Sequence, residues 1–123
     1  MIPKSEGSTV AEGIGLNRVS GNFRHALLDG AYLGTDDEML RMAYFLLRND
    51  GIFVGPSAAL NAVGAVKLAR QLKSKTKREG HVIVTILCDG GDRYRSKMYN
   101  EEWLKKENLT HVAETKETLD FVK

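Results

Sequence analysis

The stretch Gly51-Ile52-Phe53-Val54-Gly55-Pro56-Ser57-Ala58-Ala59-Leu60-Asn61 sets the tightest limit on what this chain can fold into. Ile52, Phe53 and Val54 show no polar alternation, which suits a buried parallel strand covered on both faces. Gly55 lets the backbone turn sharply or approach a ligand, and Pro56 stiffens the turn. Ser57 reads as the N-cap of a helix that begins at or just after it. That helix runs from Ala58 to about Leu72, and its alanines and Gly64 suit close packing against a neighbour. A strand end, a turn and a helix N-terminus in this order mark where open α/β sheets bind ligands.

A second element supports the same architecture. His81-Val82-Ile83-Val84-Thr85-Ile86-Leu87 is the strongest strand candidate in the chain, an apolar and β-branched run that reads as a central parallel strand. It discharges into the glycine-bearing loop Cys88-Asp89-Gly90-Gly91-Asp92-Arg93-Tyr94. Two parallel strands joined through a helix make a right-handed crossover, so this loop is expected on the same sheet edge as the Ser57 turn.

Upstream, Thr9-Val10-Ala11 reads as a short strand leading into Glu12-Gly13-Ile14-Gly15-Leu16-Asn17, a close-approach loop. Val19 to Phe23 reads as irregular, and Asp29-Gly30 and Leu33-Gly34 as turns. Thr35-Asp36-Asp37-Glu38 is a helix start with a capping box. Leu40, Ala43, Tyr44 and Leu47 follow as one buried face, widened by Met39, Met42, Phe45 and Leu46 until only Arg41 and Arg48 read as solvated. Asn49-Asp50-Gly51 ends that helix. Asn100 to Leu104 reads as a capped short helix, and the tail from Leu109 to Lys123 gathers its apolar weight in Leu119, Phe121 and Val122.

Composition narrows the function classes. At 123 residues the chain is one domain at most, and a net charge of +2 makes no case for nucleic acid. Lys73, Lys75, Lys77 and Arg78 form a local basic run that reads as a solvated loop rather than a phosphate patch. A single cysteine, Cys88, excludes an internal disulfide and suits a reducing compartment. Cys88 itself reads as a small apolar residue closing a strand rather than a catalytic thiolate. No apolar run approaches the roughly 20 residues of a membrane span. Residues 1–8 read as a polar, disordered lead without a signal- or transit-peptide layout. His25, His81 and His111 are scattered in no metal-ligand spacing, and the Gly13/Gly15 pair does not open a dinucleotide phosphate loop, so a generic nucleotide-binding domain is poorly supported. What remains is an α/β sheet with a small-molecule crevice lined by Gly13 to Leu16, Gly55 to Ser57 and Cys88 to Tyr94. The residues alone do not name its ligand.

The same motifs occur in the same order in one family. Glu12-Gly13-Ile14-Gly15, Gly21-Asn22, the helix from Thr35, Gly51 to Ala59 and Leu87-Cys88-Asp89-Gly90-Gly91-Asp92-Arg93-Tyr94-Arg95-Ser96 resemble the carboxyl-terminal half of a cysteine synthase. That family belongs, with cystathionine β-synthase and the tryptophan synthase β-like proteins, to the fold-type II pyridoxal-phosphate enzymes. The resemblance covers about residues 8 to 100. It implies a three-layer αβα parallel sheet, with a cofactor-binding part over 9–100 and a helical tail over 101–123. It implies pyridoxal phosphate as cofactor, with Ser57 bonding the pyridine nitrogen, Asp89 beside the ring, and Gly13 and Gly55 in the cofactor-facing loops. Ile14 and Gly15 match the loop at the substrate entrance. A neutral hydroxyl on the ring nitrogen makes the ring a weaker electron sink and favours β-elimination. Cys88 departs from the proline common before the polar position.

The family's Schiff-base lysine, ring-facing asparagine and phosphate loop are expected upstream of this chain. Lys67 and Lys73 sit in no matching context. The implied activity is β-replacement on an activated serine, an amino-acid substrate, with sulfide giving cysteine. The chain is expected to be inactive alone, its site completed by an N-terminal half or a homologous subunit, in the cytoplasm or the mitochondrion. The alternative is a non-catalytic binding or regulatory module that keeps the fold and pairs with a full-length relative.

Overall fold

A computed structural model describes residues 9–14, 18–75, 80–114 and 118–123. A single exposed helical turn, α1 (Gly21–Arg24), is capped by Ser20, whose hydroxyl accepts from Phe23 N at 3.3 Å where an irregular segment was expected. The capping box at Thr35 forms as expected: Thr35 Oγ1 accepts from Glu38 N at 3.2 Å, and Glu38 Oε2 accepts from Thr35 N at 2.9 Å. It launches α2 (Asp36–Phe45), with Asp36, Asp37 and Glu38 in the first turn, where the helix dipole favours negative charge. The helix widens into one π-helical turn, Leu46–Asp50, and closes at Gly51 with φ of 68°, a left-handed conformation that glycine adopts without a steric penalty.

The long helix α3 (Pro56–Lys75) begins at Pro56, so Ser57 is not its N-cap. Proline's fixed φ suits the first helical position, and its missing N–H costs nothing there. Gly55 takes the cap position, and its carbonyl accepts from Ala59 N at 3.1 Å. α2 packs along α3, burying Met39, Leu40, Met42 and Ala43 against Ala58, Ala59 and Val63. The end of the chain closes the same core. α4 (Glu101–Lys106), capped by Asn100, contributes Leu104, the 3-10 turn Thr110–Glu114 contributes Val112, and Val122 follows. Val112 is fully buried although the sequence reading gave the tail's apolar weight to Leu119, Phe121 and Val122, of which only Val122 is buried and the others half-buried.

The expected parallel sheet does not form among the described residues. Neither Ile52 to Val54 nor His81 to Leu87 forms a strand, and the β-bridge beside them is isolated and antiparallel, between Val54 and Gly90, three residues beyond the second run. Val82, Val84 and Ile86 are 88%, 87% and 71% exposed. A parallel strand needs neighbours along both edges and cover on both faces. Near its end the second run is tied to α3 by Asn61 Nδ2, which donates to Ile86 O at 2.9 Å. The regular elements among the described residues are all helical.

One charged residue is deeply buried. Glu38, 4% exposed, accepts from Lys67 Nζ at 2.8 Å, from Thr35 N, and from Lys123 N at 2.8 Å. Arg70 reinforces that closure by donating to the carbonyls of Leu119 and Val122. Burial alone raises the Glu38 carboxyl, but the Lys123 N–H, the Lys67 ammonium and the Thr35 N–H outweigh it and hold it at about 2. Because the folded value lies below the ordinary 4.5, the stabilisation is present above that pH and is lost as pH falls from about 4.5 to about 2.

Two outcomes are expected. Glu38→Gln lowers the free energy of unfolding by up to about 3 kcal/mol at pH 7 and much less at pH 2.5, measured by urea denaturation; a pH-independent loss contradicts the assignment. Val84→Lys changes stability by less than about 0.5 kcal/mol, because the residue faces solvent; a loss of several kcal/mol places it in a covered sheet.

Candidate functional site

The two sequence motifs meet. Gly55 N donates to Asp89 O at 3.0 Å and Gly91 N donates to Phe53 O at 3.2 Å, which pins the end of the first extended run against the second loop. Both glycines are required by closeness. A Cβ on Gly55 falls inside contact distance of Asp89 Oδ1 and 2.7 Å from Tyr94 Cε2. One on Gly91 falls 2.5–2.7 Å from the Phe53 ring. Tyr99 completes the join: its ring stands 4.6 Å from that of Phe53, and its hydroxyl donates to Val54 O at 2.7 Å. Burial pushes the Tyr99 phenol up to about 12, so it remains a donor throughout the neutral range.

The Asp89 carboxylate lies over Gly55. Tyr94 Oη donates to Asp89 Oδ2 at 2.8 Å, and Asp89 Oδ1 is buried with no hydrogen-bond partner among the described residues. Ser57 sits in the first turn of α3, half-buried, and its hydroxyl also has no partner there. The structure thus gathers Gly55, Ser57 and Asp89 around one helix start and leaves two of their oxygens unengaged. Helix N-termini present free N–H groups and positive potential to a ligand.

The other site candidates lie less close. Gly13 is exposed with φ of 72°, and Ile14 is half-buried against the core. Their loop is tied to the second loop by an ion pair between Glu12 and Lys97, and to α2 by Val10 N donating to Asp36 Oδ2 at 3.0 Å. Gly15 lies outside the described residues. Cys88 is exposed rather than closing a strand, with Asn61 Nδ2 at 3.5 Å from its sulfur. Tyr94 was expected in the crevice lining, whereas Tyr99 and the bond from Asn61 to the second run were not foreseen. The arrangement RYRS after the glycine loop was visible, but the partner that Tyr94 holds was not.

Among the described residues no His, Cys, Asp or Glu cluster could hold a metal ion, and no helix is long and apolar enough to cross a membrane. No protein-family model matches the chain. Individual relatives do. A cysteine synthase of Dictyostelium discoideum is 48% identical over 112 residues, 91% of this chain and 28% of the relative. Cysteine synthase 2 of Schizosaccharomyces pombe is 47% identical over 116 residues, 93% and 28% respectively. An L-cysteine desulfhydrase of Mycobacterium tuberculosis is 32% identical over 114 residues, 93% of the chain and 30% of the relative.

These likenesses set the chain among proteins related to enzymes of cysteine metabolism. It belongs to the cysteine synthase family, and it spans little more than a quarter of the length of the curated relatives it matches.

The closeness at Gly55 is testable. Gly55→Ala destabilises the fold by about 1–3 kcal/mol in chemical denaturation, because the methyl group must displace the Asp89 carboxylate and the Tyr94 ring. Adding Asp89→Gly restores part of the loss; no recovery locates the clash elsewhere.

Proposed function

We propose that this chain is part of a pyridoxal-phosphate-dependent cysteine synthase-like enzyme that replaces the leaving group of an activated serine with sulfide to give cysteine. The observation that carries the reading is identity of 48% with a cysteine synthase across 91% of the chain. The residues present fit the cofactor: a free hydroxyl at Ser57 and an unpartnered buried oxygen at Asp89 flank a turn that only glycine can occupy at position 55.

When bound, the cofactor supplies the electron sink for loss of the β-substituent. In this reading Ser57 holds the ring nitrogen through a neutral hydroxyl, which moderates that sink. Gly55 lets the Asp89 carboxylate pack against the turn, where Asp89 would offer an acceptor beside the ring, and Gly13, Ile14 and Gly15 border the substrate entrance. Ile52 to Val54 and His81 to Leu87 enter a parallel sheet in the complete enzyme, within a cofactor-binding part spanning 9–100. The alternation-free apolar character of both runs supports this. Lys67 is committed to Glu38 and to Leu33 O, which supports the expectation that it is not the Schiff-base lysine and that this chain alone would be inactive. An upstream half or a homologous subunit completes the site.

A chimera tests the proposal: this chain replaces the 116 matching residues of the Schizosaccharomyces pombe cysteine synthase. The chimera is expected to bind pyridoxal phosphate and form cysteine, while the isolated chain does neither. Ser57→Ala lowers the chimera's kcat/KM by about tenfold or more. A folded chimera without a cofactor absorbance band sinks the reading.

A further inference from the structure

Asp89 presents a buried acceptor with nothing to accept. Its Oδ1 is shielded from solvent, has no partner among the described residues, and lies where a Cβ on Gly55 would stand. An unsatisfied buried acceptor is destabilising, so its persistence calls for an explanation. The other carboxylate oxygen is fastened. Tyr94 Oη donates to Oδ2 at 2.8 Å, and the Asp89 carbonyl is held by Gly55 N at 3.0 Å. These two anchors, on either side of the Asp89 side-chain torsions, leave Oδ1 little freedom to turn toward water. The bond to Asp89 also pushes the Tyr94 phenol upward, with burial adding to it, so the anchor keeps its proton at neutral pH.

We propose that Tyr94 is a positioning residue: it fixes Asp89 Oδ2 so that Oδ1 accepts a hydrogen bond from a proton-bearing group of a hydroxypyridine ligand docked at the Gly55–Ser57 turn. This inference rests on the cofactor reading above. It adds that the acceptor's direction is set by a residue that itself touches no ligand. Ring packing is not the point of Tyr94, because phenylalanine supplies the same ring against Gly55. The phenolic hydrogen bond is.

The holo chimera carries the test, with pyridoxal phosphate as the probe. Tyr94→Phe is expected to weaken cofactor binding about three- to tenfold and to shift the pH profile of the bound cofactor's visible band. Asp89→Asn shifts the profile in the same direction and at least as far, and the double variant adds nothing to Asp89→Asn. A Tyr94→Phe chimera that melts at a lower temperature while its band, pH profile and cofactor affinity match the parent overturns the inference and leaves the cofactor reading standing. A parent chimera with no cofactor band overturns both.

Discussion

The close approach of Phe53–Gly55 to Asp89–Gly91 is the constraint on which the rest of the ligand-facing region depends. Two backbone hydrogen bonds tie the segments, and each is possible only because the residue opposite a bulky or charged side chain is glycine. Gly55 leaves room for a carboxylate, and Gly91 leaves room for a phenyl ring. Two aromatic hydroxyls then secure the join from opposite sides, Tyr99 on the Val54 carbonyl and Tyr94 on the Asp89 side chain. The start of α3 inherits its position from this clamp, since Gly55 is at once the clamp residue and the helix cap.

A second constraint holds the opposite end of α3. Glu38 accepts from the backbone at the head of α2, from Lys67 on α3 and from the last residue of the chain, while Arg70 takes two carbonyls of the same terminal segment. A buried carboxylate is costly without such partners. Here the ion pair and backbone donors together satisfy it, and the three segments they join also share the buried cluster of Leu40, Val63 and Val122. Charge and apolar packing therefore specify the same register of α2 on α3.

Local signals were legible to the extent that their causes are local. The Thr35 capping box, the apolar face of α2 and the Asn100 cap each depend on residues a few positions apart and stand where expected, although Arg41, expected in solvent, lies half-buried against Asp37. The start of α3 differs from the expected one because Ser57 is a good cap, whereas Pro56 is a better first helical residue and moves the cap back by two positions, to Gly55. The convergence of Gly55 with Asp89 was expected from chain topology. The role of Tyr99 was not, since a phenol 45 residues from its acceptor leaves no periodic trace.

The run from His81 to Leu87 is where pattern and packing part. Apolar residues at successive positions ask for cover on both faces, and a chain that left such a run bare would expose an unprotected edge to any strand nearby. Its exposed residues carry neither a charge nor a proline between Val82 and Leu87 that would blunt such pairing. The matched relatives are more than three times as long as this chain, and the pattern of the run asks for more neighbours than the described residues provide. The attachments of the run, Asn61 on the Ile86 carbonyl and the Val54–Gly90 bridge just beyond it, lie at its carboxyl-terminal end, next to the loop that Gly55 approaches.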